Sequence, residues 1–309
     1  MRGFLTGLAV AALMVTAVPV RADVFADIKA VEQAERDFAA DTAKNGFYRG
    51  FIAWSTDDAI GFLPQAGNFH KALVDSLAAD PSLAGAPTPL RWRPFHVGVA
   101  NSGDLAFDLG TWTMEGNDKA GWFFTIWEKQ ADGTWKWSLD GGAGDDAPDN
   151  LPPADQTFTL VANTQHVHPN GLAEGLGRDD AFNALLAQKS YSDIYAGLGG
   201  TRPTIASDGV PPYVEGYWPW PSGDGAPPPP EGADAKMEAR RQAVIAARPE
   251  TGLTWTRDGS GASKSGAFVY TYGHATAADG TYRGHYVRVW NKLTERDTSW
   301  LLTVDLFHK

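Results

Sequence analysis

The residues of this chain that can do chemistry are carboxylates, imidazoles and many indoles, because its 309 residues include no cysteine. Without a thiol there is no disulfide, no sulfur nucleophile and no thiolate metal site. Asp57 and Asp58 stand between a helical stretch and a short apolar one. A carboxyl there that enters an apolar cavity has its pKa pushed up and can move a proton. The other reading is a turn, in which Asp bonds nearby backbone. Asp58 is the catalytic candidate of the two. Asp140 and Asp305 close two similar strands, each entered at a Trp. Period-2 alternation puts Trp135, Trp137 and Leu139 on one face, and Lys136, Ser138 and Asp140 on the other. The Trp face is the better core face, which turns Asp140 outward or onto a neighbouring strand. Thr303 and Asp305 share a face with Leu301, so Asp305 stays a candidate pocket carboxylate.

His274 and His285 fall on successive strands beside a shared hairpin, with Tyr286 and Asp305 close by. They either face a pocket as catalytic groups or form a surface cross-strand pair. His166 and His168 project from one side of an extended segment, but a metal needs a third ligand. No metal and no other cofactor is expected. No phosphate-binding Gly loop, nucleophile elbow, HExxH helix or dinucleotide fingerprint is present. The 12 tryptophans are the other signal. Trp54, Phe62, Trp112, Trp122, Phe124 and Tyr286 are candidates for the wall of a ligand pocket. A core of large residues under a curved sheet explains them equally well. Trp218 and Trp220 lie in a Pro/Gly-rich insertion, 217–235, and are expected to dock on the second half of the chain as a lid or a latch.

The elements that must position these residues come twice. Residues 102–140 and 265–305 share one pattern: Ser-Gly opens an apolar strand with an internal Gly (Gly110, Gly273). An aromatic strand then ends in Trp-x-Lys, and a Trp-entered strand closes on Asp. A repeat this long marks two copies of one domain. Its superposition would place Gly110 on Gly273, Trp127 on Trp290 and Asp140 on Asp305. Helix-like spacing runs from about Asp27 to Lys44, and again from Gly46 to Trp54. A short strand, a helix near 69–79 and four strands over 90–140 follow. GGAGDDAPDNLPPADQ reads as linker. The second copy repeats the order, with Asp179 or Asp180 as a helix cap. The boundaries expected are 23–143 for the first domain, 144–164 for the linker and 165–309 for the second domain.

The first 22 residues read as a secretory signal: Arg2, an apolar run, and Val20-Arg21-Ala22 before cleavage. Removing them leaves 24 basic against 37 acidic residues, a net charge of −13. That argues against nucleic acid and anionic membrane as partners. A periplasmic or secreted protein is expected.

The motifs AERDFAADTAKNGFYRGFIAWSTDDAIGFLPQ, SGDLAFDLGTW and GWFFTIWEKQADGTWKWSLD, in that order, resemble the NTF2-like (cystatin-like) superfamily, closest to its SnoaL-like/DUF4440 group. The resemblance implies an α+β fold, here as a tandem: two cones, each with helices packed on a curved antiparallel sheet. In ketosteroid-isomerase-like relatives a pocket carboxylate lies near the Asp57-Asp58 region. Fold does not decide function among such proteins. Three readings stand: binding of a small apolar or aromatic molecule, an isomerase, cyclase or hydrolase using a pocket Asp or His, and a structural module whose sheets pair. Carboxylates converging in an open cone favour the enzyme, an all-apolar cone favours binding, and a filled cone favours the structural role.

Overall fold

The computed structural model describes residues 24–116, 119–145, 158–161, 167–198, 203–214, 228, 231–292 and 300–309. The signal segment 1–22, His166, Trp218 and Trp220 lie outside the described residues.

The first half opens with α1 (Val24–Asn45), which buries Ile28, Val31, Ala34 and Phe38 along one face. It stops before Gly46, whose φ of 89° suits glycine. A Cβ there would stand 2.6 Å from the Ala86 carbonyl oxygen. Then come α2 (Phe47–Trp54), β1 (Ser55–Phe62), β2 (Ala66–Asn68) and α3 (Phe69–Ala79). The Asn68 side chain accepts from the Lys71 amide at 2.7 Å and caps α3. The main strands are β3 (Leu90–Val99), β4 (Leu105–Met114), β5 (Ala120–Lys129) and β6 (Trp135–Asp145), followed by β7 (Phe158–Val161). Gly103 and Gly133, both at positive φ, turn β3 into β4 and β5 into β6.

The second half runs α4 (Gly171–Leu186), α5 (Tyr191–Ala196), β8 (Thr204–Ser207), β9 (Val210–Tyr213) and α6 (Ala233–Ala246). It ends with β10 (Thr254–Ala262), β11 (Phe268–Thr276), β12 (Tyr282–Asn291) and β13 (Leu301–His308).

The two sheets have the same layout. The first is ordered β2-β1-β6-β5-β4-β3-β7 and the second β10-β11-β12-β13-β8-β9. Without β7, each reads as a short hairpin joined to a four-strand antiparallel run. The joint is parallel, β1 with β6 and β8 with β13. Register agrees too: Gly110 pairs with Phe123 as Gly273 pairs with Tyr286. The architecture is therefore α+β, two cones each closed by a curved sheet.

Three details refine the sequence reading. The glycine-rich stretch after Asp140 is not yet linker, because β6 continues to Asp145. Residues 158–161 form β7, a parallel edge strand on β3. Asp179 and Asp180 cap nothing, because α4 begins at Gly171 and both lie within it.

Helices cover the inner face of each sheet, and the outer faces pack on each other. Phe107, Leu109, Trp122, Phe124 and Ile126 from the first sheet share one buried cluster with Phe268, Tyr270, Val287, Val289, Val304 and Leu306 from the second. Polar contacts hold the seam: the Gly209 amide donates to Gly144 O at 2.7 Å, and the Tyr282 hydroxyl to Pro64 O at 2.8 Å. Burying this much apolar surface, at roughly 25 cal/mol per Å2, makes the seam the main bond between halves.

Candidate functional site

One irregularity decides where Asp140 points. Along β6, Trp127 of β5 pairs with Trp137, but the preceding Ile126 pairs with Leu139. Ser138 is thus an extra residue, a β-bulge, and a bulge reverses the alternation of faces. Trp137 packs under the helices with Phe38 and Phe51, whereas Leu139 joins the seam between the sheets. Asp140 therefore turns inward, against the period-2 expectation that sent it outward. The second sheet repeats the device: Val289 pairs with Val304 and Trp290 with Leu302, leaving Thr303 extra. Asp305 is fully buried in consequence.

In the first cone the inward Asp140 meets two more acids. Glu35 on α1 and Asp108 on β4 are both completely buried. Glu35 accepts from the Trp92 indole at 2.5 Å and the Trp127 indole at 3.2 Å. The Thr125 hydroxyl donates to Asp140 at 3.1 Å. Burial pushes Asp140 up to about 8, the charge of Glu35 adds to this, and only Thr125 opposes it. Asp108 lies well above the usual carboxylate range, first through burial and then through Glu35 and Asp140. Burial raises Glu35 as well, opposed by the hydrogen bonds from the Trp92 and Trp127 indoles. Among the described residues, no cation stands among the groups that shift these three acids. Burial and mutual repulsion thus favour the protonated forms of these acids, Asp140 among them.

Above Asp140 opens a cavity of about 400 Å3. Phe38, Phe47, Phe51, Phe69, Leu90, Trp92, Trp112, Met114 and Phe123 line it, with Asp140 as its inner acid and Lys119 at its edge. The second half of the chain closes one side. His285 stacks on Phe62 with ring centroids 3.8 Å apart, and both line the cavity with His308. Burial, aided by the charge of His308, lowers the His285 imidazole to about 3. It is a neutral group at physiological pH.

Among the described residues, the matching place in the second cone is occupied by a buried side chain. Arg288, on β12 opposite Asp305, fills it. Its guanidinium donates to Asp305 at 3.2 Å, to Asp179 at 2.9 Å and to Asn183 at 2.7 Å. The Tyr195 hydroxyl donates to Asp305 at 2.6 Å, and the Arg248 guanidinium donates to the Asp305 carbonyl. Thr271 adds a bond to Asp179 at 3.0 Å. Two acids and two arginines thus neutralise one another in a fully packed interior. Removing one partner of such a set strands a buried charge, which costs about 3–5 kcal/mol. Arg288→Met is expected to lower stability by about that amount. A urea unfolding midpoint unchanged from the parent protein would refute it.

Sequence reasoning named ten candidates that are described. Asp58 is exposed in the middle of β1, in a strand rather than the turn the sequence offered, and does not line the cavity. Asp305 is inward, but it is held by Arg288 and Tyr195. His274 pairs with Asp258 at 2.8 Å on the outer part of β11, away from the cavity. His285 does face a cavity, though the other domain's. Phe62 and Trp112 line it. Trp122 and Phe124 face the seam instead, and Trp54 donates to Asp41 at 3.2 Å at the helix edge. Tyr286 stacks on Arg288 in the second cone, centroid to guanidinium 3.9 Å. Glu35 and Asp108 were missed, and Asp140 was aimed the wrong way.

A signal for the missed acids existed. Glu35, Phe38, Phe47 and Phe51 recur as Asp179, Phe182, Tyr191 and Tyr195, each 144 positions later. The helices therefore match as closely as the strands. Phe38 meets Trp127 at 6.3 Å as Phe182 meets Trp290 at 5.8 Å.

No family model matches the chain, and neither does any curated protein. Solved structures similar to it include a ketosteroid isomerase-like protein from Erwinia carotovora atroseptica, at 18% identity over 38% of this chain and 95% of that one (TM-score 0.28). A cystatin-like fold protein from Burkholderia xenovorans aligns at 13% identity over 40% of this chain and 94% of its own (TM-score 0.28). An NTF-2 like protein from Shewanella oneidensis aligns at 16% identity over 39% and 95% (TM-score 0.26).

Proposed function

We propose that the first cone binds a small, largely apolar or aromatic molecule, and that the second cone serves as its scaffold. The observation that carries this reading is the cavity of about 400 Å3, walled by aromatic and aliphatic side chains around a single inward carboxyl. That size and balance match small-molecule sites, where apolar walls supply affinity and a few polar groups fix orientation. The ligand's polar end would meet Asp140, and its apolar body would lie against Trp112 and Phe62. A secreted or periplasmic setting fits the N-terminal signal pattern and the acidic charge.

A second reading is an enzyme of the isomerase, cyclase or hydrolase kind, as in SnoaL-like or ketosteroid-isomerase-like proteins. Asp140 favours it, since a carboxyl near 8 can donate and accept a proton at neutral pH. Thermal-shift and calorimetric titration against small aromatic metabolites tests the binding reading. Trp112→Ala is expected to weaken any ligand found by roughly tenfold or more, as lost ring contact costs about 1.5–3 kcal/mol. Ligands that bind the Trp112→Ala variant unchanged would place the site elsewhere. Turnover of a bound compound, lost in Asp140→Asn, would favour the enzyme.

A further inference from the structure

The two cones carry the same cage around different contents. In the second cone the Arg288 guanidinium sits among three rings: 4.8 Å from Phe182, 5.4 Å from Trp255 and 3.9 Å from Tyr286. It links carboxylates on two elements, Asp179 and Asp305. Helix spacing matches Phe182 and Asp179 to Phe38 and Glu35. Strand register matches Tyr286 and Asp305 to Phe123 and Asp140, and the repeated strands match Trp255 to Trp92. The first cone therefore keeps the three rings and the two acids. What it lacks is the cation, because Thr125 stands where Arg288 stands. It adds Asp108 where the second cone has Thr271, so its interior gains an acid as it loses the base. Phe38, Trp92, Phe123 and Asp140 all line the cavity.

We infer that the ligand of the first cone carries a positively charged nitrogen, an ammonium, amidinium or guanidinium on an apolar body, and that this nitrogen takes the place Arg288 holds in the second cone. The inference rests on the binding reading above and names its ligand class. Rings around a cation attract it through their π faces, and desolvation strengthens the attraction. Carboxylates within reach then complete the pair. In the second cone the same cage holds a guanidinium.

Proton linkage follows. The Asp140 carboxyl, raised to about 8, carries a proton at neutral pH that a bound cation would displace. Facing Asp140 are Glu35 from α1, Asp108 from β4 and the Thr125 hydroxyl from β5. His285, His308 and Lys119 stand at the cavity wall. Binding of a cation should release about one proton, so affinity should rise close to tenfold per pH unit below the titration of the cluster.

The test uses matched probes on the full chain: 2-phenylethylamine against 2-phenylethanol, and benzamidine against benzamide. Calorimetry at pH 6, 7 and 8 in two buffers of different ionisation enthalpy reads affinity and proton release. The expected result is at least tenfold preference for each cationic probe at pH 8, with proton release and affinity rising with pH. Asp140→Asn should erase most of the preference. Its fold is checked by melting, and Thr125→Ser, which keeps the hydroxyl, should retain the preference. Neutral probes that bind as tightly as their cationic partners would overturn the inference and leave the binding reading standing. If no probe of either kind binds, both fall together.

Discussion

Thr125→Arg is expected to convert the first cone into a copy of the second. The new guanidinium would lie opposite Asp140, as Arg288 lies opposite Asp305. It would enter the cavity between rings already arranged as those around Arg288 are. Three effects should appear together. Asp140 should fall from about 8 into the ordinary carboxylate range, because an opposite charge at contact favours the ionised form. Small-molecule binding in the first cone should be lost, since the space is taken. Stability at pH 8 should rise, because buried acids gain a partner. Carboxyl carbon titration by NMR reads the first effect, and melting curves the third. An Asp140 that still titrates near 8 in a folded Thr125→Arg protein would show that the two interiors are not equivalent.

The second large effect is on stability as a function of pH. In the native state Asp140 holds its proton up to about pH 8, whereas an unfolded Asp releases it near 4. Between those values the native chain binds more protons than the unfolded one, so stability falls as pH rises. The contribution is complete below pH 4 and is lost progressively by about pH 8. Asp108, also raised, acts in the same direction. His285 acts in the opposite sense, and only at low pH. Its lowered value near 3 makes stability fall as pH drops below its ordinary value. The window from pH 6.5 to 8 therefore isolates the acids. One group titrating over that span changes stability by up to about 2 kcal/mol, less where cavity water screens it. The melting temperature should drop by several degrees across the window. Asp140→Asn should flatten much of that slope, and a slope unchanged in the variant would exclude Asp140 as its source.

Much of this architecture can be read from the chain alone. The repeated strands announce themselves through Gly110 and Gly273, Trp127 and Trp290, and the glycine turns, because each of these residue types has a local job. The helices are legible from apolar spacing, and α3 runs from Phe69 to Ala79 as that spacing predicts. The site is harder. Asp140 looks like a surface residue as long as β6 is taken to alternate without interruption, and nothing in Trp-Lys-Trp-Ser-Leu-Asp marks Ser138 as a bulge. Glu35 looks like one more charge on a polar helix, because only the partner strands reveal that its face is covered. Trp122 and Phe124 look like pocket wall until the second sheet is seen to cover them. In each case the deciding partner lies far away in sequence, where local pattern carries no trace of it.

The seam between the sheets has a consequence for symmetry. Two identical subunits meeting in this way would have to share every substitution, so a residue reaching across the boundary would change both sites at once. On a single chain His285 and His308 reach the first cavity from the second half, and they have no obligation to an identical neighbour. One cone can then specialise in chemistry while its sibling specialises in holding still.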